Sequence, residues 1–435
     1  HDFKTTHIPT QKQTKSIRKA KDENINISIA GKRYSGWGHT FNKNGLIIDM
    51  SDMKKILDYN PEEKKIRVES GITWWEIQKI INKDDLSIKV MQSSNIFSVG
   101  GSLSSNIHGR DPRFGTIIDT IESFRLITSE GKILEISRQE NSELFWAVIW
   151  GFGLFGVVTD VTLLLTDNDT YEKNSEKINY KKYSEYIKKN IVNNQDIGLH
   201  YWRLSIAPWE NFLKEFFITD YIQTEKNSIK NNLIEEKNIL RNRFFFNISR
   251  EFDWAKTLRW ELQKYLIDNT ETKEIITRNN AMNPPIKFIS YYNENHTDIL
   301  QEYFVPIENF TEFIDQLRNN IIQNDVNLLS VTTRYISKGD EVILNYNPSD
   351  MIAVVLYLNV WLDRISQEKI TNYSQELINI VQEFKGRYYL VYQNYATKEQ
   401  MYLIYDNVQK FKNIKNKYDP NGLFSNKFSE KYNLK

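Results

Sequence analysis

The sequence predicts an α+β protein of two domains. Three observations carry this. A chain of 435 residues is longer than one ordinary hydrophobic core organises. Up to about residue 170, short runs with the period-two alternation of strands are interleaved with a few helix-type segments. From Asn174 the segments lengthen, gain lysine, asparagine and aromatics, and lose glycine. The boundaries drawn from this are 1–170, 171–395 and a tail, 396–435.

Taken in order, Ile8 to about Ile29 reads as helix then strand. Gln11–Lys21 is polar and helix-compatible, and Ile25-Asn-Ile-Ser-Ile29 alternates as a half-buried strand should. A loop follows, Gly31-Lys-Arg-Tyr-Ser-Gly-Trp-Gly-His-Thr40, then a short apolar strand, Leu46-Ile-Ile48. Lys65-Ile-Arg-Val-Glu69 alternates again. Thr73 can cap a helix over Trp74–Ile81, with Glu76 at the capping-box position. A second loop runs from Ser98 to Gly109. Ile121–Ile127 and Lys132–Ile136 flank Thr128-Ser-Glu-Gly131, a hairpin with a glycine-containing turn. Asn141–Trp150 reads as helix and Val157–Leu165 as strand. Beyond residue 170, Phe304–Ile322 and Gln367–Phe384 read as helices. Asn327–Tyr335, Ala353–Trp361 and Tyr388–Tyr392 read as strands. The tail has a helix from Lys398 to about Phe411, then the turn signal Tyr418-Asp-Pro-Asn-Gly-Leu-Phe424.

Composition excludes several classes of function. The net charge of +1 lacks the basic footprint that nucleic-acid binding needs. No cysteine is present, which removes thiolate metal sites, iron–sulfur clusters and cysteine nucleophiles. The six histidines are scattered, so no metal is expected. No apolar run has the length of a membrane span. The chain begins at His1, not Met, as one trimmed of an N-terminal leader or anchor would; the compartment stays open and the chain as given is expected to be soluble.

Gly151, Gly153 and Gly156 match the dinucleotide fingerprint GxGxxG. That fingerprint needs a strand before it and a helix after it. Here the order is reversed, so the Rossmann reading fails on context. The loops at 31–39 and 98–109 are better candidates. Such Gly/Ser loops can turn successive backbone N–H groups onto an anion, and two in one domain suit a diphosphate-containing cofactor. Ordinary turns would explain either loop alone.

The ordered set Gly31-Lys-Arg-Tyr-Ser35, Gly45-Leu-Ile-Ile-Asp-Met50, Val68-Glu-Ser-Gly71, Ser98-Val-Gly-Gly-Ser102, Asn106-Ile-His-Gly109 and Gly153-Leu-Phe-Gly-Val-Val-Thr159 resembles the FAD-binding domain of the vanillyl-alcohol oxidase superfamily. Within it the chain is most similar to the alditol, aldonolactone and decaprenylphosphoryl-ribose oxidase branches. The resemblance is dense over 8–166 and returns at Tyr418-Asp-Pro and Phe424. It implies a PCMH-type FAD-binding domain of two subdomains, a substrate domain whose antiparallel sheet lies over the flavin, and a tail that packs back on the FAD domain. It implies FAD contacts from Gly31, Lys32, Arg33, Tyr34 and Ser35, from Gly100, Gly101, Ser102, Ser105, Asn106, His108 and Gly109, and from Gly156 and Val158 on the adenine side. Many relatives link the flavin through a histidine where this chain has Tyr34. A phenol is not the usual linker, so the FAD is expected to be non-covalent, with His39 the one nearby alternative.

The resemblance also implies the chemistry: oxidation of a CH–OH group of a sugar, polyol or sugar-derived molecule, with hydride passing to flavin N5 and oxygen or another acceptor completing the cycle. Arg334, His108 and Tyr392 are the candidate catalytic residues. A fixed arginine can stabilise alkoxide character, and a histidine titrates near neutrality. An ordinary ion pair for Arg334 and a structural hydrogen bond for His108 are the bland alternatives. Tyr335, Asn359, Tyr389 and Gln393 are candidate substrate contacts, with core packing as the alternative. The decaprenylphosphoryl-ribose branch carries a lysine in the strand before the final helix, where Tyr389-Leu-Val-Tyr-Gln393 has none; this weighs against a lipid-linked ribose. Arg241–Ile267 is basic and aromatic with apolar residues at helical spacing; a core-facing stripe is the first reading and a peripheral membrane contact the second. Two other readings stay open: a flavin-binding protein without turnover, with an assembly or interaction role, and an NADPH-fed flavin reductase of the same fold.

Overall fold

The computed structural model describes residues 11–35, 38–208, 211–225, 232–269, 274–339 and 342–434. Ile8 of the predicted helix–strand stretch and Gly36 and Trp37 of the first loop lie outside them. Strand β1 (Ile27–Ala30) pairs in parallel with β2 (Leu46–Asp49). A six-stranded sheet follows, built from β3 (Ile56–Asn60), β4 (Lys65–Glu69), β5 (Leu86–Ile88), β6 (Ile121–Ile127), β7 (Ile133–Ser137) and β8 (Val157–Asp167). Its order is β3-β4-β8-β6-β7, with β5 beside β8, and its pairings are antiparallel. β8 is the long central strand because Val157, Val161, Leu163 and Leu165 bury one alternating face. The Trp74–Ile81 helix starts at Thr73 through a complete capping box with Glu76, a device contributing about 1 kcal/mol, and it buries Trp74, Ile77 and Ile81.

The second, eight-stranded sheet comprises β9 (Thr170–Asn179), β10 (Ile197–Leu204), β11 (Glu215–Gln223), β12 (Glu274–Thr277), β13 (His296–Pro306), β14 (Leu328–Ile336), β15 (Met351–Trp361) and β16 (Arg387–Tyr388). Its order is β12-β9-β11-β10-β14-β15-β13-β16. Helices Phe310–Gln323 and Arg364–Glu383 pack against one face through Phe313, Leu317, Leu377 and Val381. Strand alternation divides the side chains between faces. Gln301 bonds Ser374 in the helix layer, while its neighbours Leu300 and Glu302 face away, into a cavity. The chain after Tyr418 returns to the first sheets. Ser425 N–H donates to the Ile27 carbonyl, and Asn426 donates to the carbonyls of His39 and Phe152, each at 3.0 Å.

Several elements depart from the sequence expectation. The second Gly/Ser loop opens as a helix, Val99–Ser104. Its glycines allow close packing: a Cβ on Gly100 would stand 2.9 Å from the Ser70 Cβ. Phe304 belongs to β13, and the helix expected from that residue begins at Phe310; Pro306 cannot donate within a helix and marks the change. Only Tyr388 of the expected 388–392 strand lies in a strand: Tyr389 N–H still bonds the Glu302 carbonyl of β13, but the next carbonyl, of Leu390, turns to the His39 ring instead. The 398–411 helix divides into Lys398–Ile404 and Val408–Tyr418. The 241–267 stretch is two helices, Ile239–Glu251 and Asp253–Asp268, broken at extended Phe252 (φ −130°). Its stripe is not core-facing: Phe246 and Trp260 are buried, whereas Phe244, Trp254, Leu258 and Leu262 are exposed.

Candidate active site

A cavity of about 1310 Å³ lies between the Gly/Ser loops and the open face of the eight-stranded sheet. Alternate residues of four strands form its sheet wall: Tyr201 and Arg203 from β10, Ser330, Thr332 and Arg334 from β14, Val355 and Tyr357 from β15, and Leu300 and Glu302 from β13. The register aligns Arg203, Thr332, Val355 and Glu302 in one row across the sheet. The two helices of residues 239–268 and the segment 284–290 cover this wall.

The opposite wall is made by the loops. Gly31, Lys32, Arg33, Tyr34, Ser35, His39, Gly100, Gly101, Ser102, Ser105, His108, Gly156 and Val158 all line the cavity. Arg33 adopts the left-handed conformation (φ 58°), the kind of reversal that turns neighbouring N–H groups to one side. A Cβ on Gly31 would stand 2.6 Å from Ser98 Oγ, so glycine keeps the two loops close. The hydroxyls of Ser70, Ser93 and Ser94 line the same cavity and are buried with no hydrogen-bond partner among the described residues. Buried polar groups are rarely left so, and these fit the polar chain of a diphosphate cofactor.

At the meeting of the two walls, His108 Nε2 lies 2.7 Å from Glu302 Oε1, both residues buried. A carboxylate only accepts, so Nε2 carries the proton. Phe304, Tyr346 and Tyr389 pack edge-on around the imidazole. Burial, reinforced by the charge and hydrogen bond of Glu302, pushes the Tyr392 phenol well up; it stays protonated and donates. Burial likewise raises Tyr389, whose hydroxyl donates to the Ser105 carbonyl at 2.9 Å and so braces the second loop. Arg334 lines the wall with its Nε buried and without a partner among the described residues.

Five predicted contacts lie off the cavity wall. Tyr335 follows Arg334 in β14 and so faces the other side of the sheet, beside Asp350. Asn359 is held by Asp298 and His296. Gln393 borders a separate small pocket. Asn106 is buried, its carbonyl accepting from Tyr346, and Gly109 backs onto the Met91 carbonyl. Sequence reasoning passed over Glu302. Its signal was a lone carboxylate inside the strand-type run Leu300-Gln-Glu-Tyr-Phe-Val305. Among the described residues, no group of three or more His, Asp or Glu could hold a metal, and no helix is long and apolar enough to cross a membrane.

Residues 10–137 match the family profile described as FAD binding domain, and residues 161–432, more than half of the chain, match that described as D-arabinono-1,4-lactone oxidase. The chain belongs to the D-arabinono-1,4-lactone oxidase family. It is an FAD-dependent oxidoreductase acting on a CH–OH group. L-gulonolactone oxidase of Mus musculus is 22% identical over 443 residues, covering 95% of this chain and 90% of that protein. The mitochondrial L-galactono-1,4-lactone dehydrogenase of Arabidopsis thaliana is 27% identical over 38% of this chain and 28% of its own length. Decaprenylphosphoryl-beta-D-ribose oxidase of Mycolicibacterium smegmatis is 25% identical over 35% of this chain and 34% of its own.

Proposed function

We propose that this member of the D-arabinono-1,4-lactone oxidase family oxidises a carbinol carbon of a sugar lactone or related sugar-derived molecule, with the Glu302–His108 pair receiving the hydroxyl proton. That pair carries the reading: it is a buried carboxylate held at 2.7 Å by a histidine, on the wall where the loops meet the sheet. Residues 1–170 would hold the cofactor, 171–395 shape the substrate cavity, and 396–435 fasten the two. FAD, when bound, supplies the hydride acceptor. The chain's own groups do the rest. Backbone N–H groups of the two loops and the hydroxyls of Ser70, Ser93 and Ser94 would hold the diphosphate and its polar chain, and Gly156 and Val158 would serve the adenine side. Tyr392 donates to Glu302 and fixes its orientation. Arg334 draws charge from the substrate oxygen as the proton leaves. Oxygen or another acceptor completes the cycle.

Anaerobic addition of a panel of lactones, polyols and sugars tests this. Bleaching of the long-wavelength flavin band is expected for at least one. A yellow protein that none of them bleaches would be a binder without turnover.

The cofactor is proposed to be non-covalent. Tyr34 is 55% exposed and a phenol. His39 is buried, stacked on Phe428, with Nε2 at 3.0 Å from the Leu390 carbonyl. Acid precipitation is expected to release the flavin into the supernatant; a yellow pellet would overturn this.

The exposed apolar face of the 239–268 helix pair, with Phe244, Trp254, Leu258, Leu262 and Tyr265, favours a peripheral membrane contact. Sedimentation with phospholipid vesicles is expected, and Leu258→Glu with Leu262→Glu should abolish it while the flavin spectrum is unchanged.

A further inference from the structure

The charges on the cavity wall are unbalanced. Beyond Lys32 and Arg33 in the first loop, Arg110, Arg203, Arg243, Arg259, Lys287 and Arg334 line it. Glu302 is the one carboxylate on the wall among the described residues. Arg33 is answered by Asp49 at 2.6 Å. Arg203, Arg259 and Arg334 are answered by no carboxylate among the described residues.

Their nitrogens show the same deficit. Arg203 Nε, Arg243 Nε, Arg259 Nη1 and Arg334 Nε are all buried without a hydrogen-bond partner among the described residues. Among the described residues, Arg259 makes one hydrogen bond, a long contact of 3.4 Å to the Leu329 carbonyl. Leaving such a donor unmet costs about 1–3 kcal/mol, more for a charged group, and native structures seldom do so without reason. Burial, together with the charges of Arg203 and Arg250, pushes the Arg259 guanidinium down to about 9. Against the effect of its own burial, Arg203 and Arg110 pull the neighbouring Tyr201 phenol down. An arginine holds its proton strongly, so the relief available to this cluster is a bound anion.

The cofactor diphosphate does not account for it. Its loops lie within residues 31–109, and the first of them carries its own cations, Lys32 and Arg33. Arg203 stands on β10 and Arg259 on the Asp253–Asp268 helix that covers the sheet. Arg203 shares a row with Glu302, three strands away, which is about 14 Å between backbones. One end of a small polar molecule can meet Glu302 while the other meets the arginines.

We infer that the Arg203–Arg259 end of the cavity binds an oxyanion carried by the substrate, so that this enzyme acts on an acidic sugar derivative, a carboxylate or a phosphate ester. The inference rests on the proposed oxidation of a sugar-derived molecule in the same cavity. It adds a charge to the substrate and makes Arg203 and Arg259 specificity residues.

The test uses the flavin-loaded enzyme and matched pairs: an aldonic acid against its lactone, and a sugar phosphate against the free sugar. Steady-state turnover with oxygen or an artificial electron acceptor gives kcat and KM, anaerobic bleaching gives the rate of flavin reduction, and the shift of the flavin band gives Kd. The acidic member of one pair is expected to have the lower KM, by about tenfold or more. Arg203→Gln and Arg259→Gln should each raise that KM about 10- to 100-fold with kcat within about twofold, erasing the preference; Arg203→Lys should keep part of it. Inorganic phosphate or sulfate should compete and raise the Tm of the wild type. Which pair responds tells carboxylate from phosphate. Binding seen only with phosphatidylglycerol vesicles, and lost in Arg203→Gln, would assign the phosphate to a lipid headgroup. Equal KM within both pairs, with neither variant shifting it, overturns the inference. A protein that takes up no FAD would sink the oxidase reading instead, and the Tm shift with phosphate would still decide this one.

Discussion

Glu302→Gln is expected to lower kcat by about 10²- to 10⁴-fold, the usual contribution of a positioned acid–base group, while FAD content and the visible spectrum stay at the wild-type level. Glutamine keeps the shape and can still accept from His108 Nε2 through its carbonyl oxygen. It cannot take up the hydroxyl proton. The carboxylate is held by His108 at 2.7 Å, and the buried, protonated Tyr392 phenol stands near it. Its position should therefore survive the substitution, and the loss should fall on kcat rather than KM. His108→Gln should cost less, because it removes the partner that orients the base and leaves the base itself. Single-turnover reduction of the flavin under anaerobic conditions measures both. If Glu302→Gln reduced the flavin within threefold of the wild-type rate, the proton would have to leave through another group.

What the sequence made legible was local. The capping box at Thr73 and Glu76 could be read because both residues act on their own turn. The reversed order around Gly151–Gly156, helix before and strand after, is the order found, with Gly156 in a backbone conformation (φ 148°) where a Cβ would stand 2.4 Å from the Ile127 carbonyl. The Gly/Ser loops were legible as loops, although helix packing against Ser70 is why Gly100 is a glycine. Glu302 was not legible, because its partner His108 stands 194 residues away and the end of its strand, from Phe304 on, reads as helix in the sequence. Arg203 and Arg259 are unremarkable in sequence; only the sheet register and the helix above it bring them together. Tyr335 is the instructive error. Adjacent strand residues face opposite sides, so Arg334 and Tyr335 could not both have lined one cavity. The 241–267 stripe was misread because periodicity reports an apolar face without saying what covers it.

The floor of the site sets the largest expected stability effect. Arg278 is 0% exposed. Its guanidinium bonds the Asp111 carboxylate, the Tyr171 hydroxyl and the Lys89 carbonyl, the last at 2.7 Å. It thereby joins the segment after β5, the loop that follows His108, and β9. Arg278→Ala leaves Asp111 buried with Arg113 as its remaining ion-pair partner and strips the Lys89 carbonyl of its donor. Breaking a buried pair in this way costs about 3–5 kcal/mol, which should appear as a lowered urea midpoint and a Tm lower by several degrees. Activity should fall too, since Arg110 on the cavity wall donates to the Ala281 carbonyl in the short helix that Arg278 begins. Asp111→Asn in the same chain should restore part of the loss, because it removes the charge that Arg278→Ala strands. A loss below about 1 kcal/mol would mean that Arg113 alone neutralises Asp111 and that the junction is held by its apolar contacts.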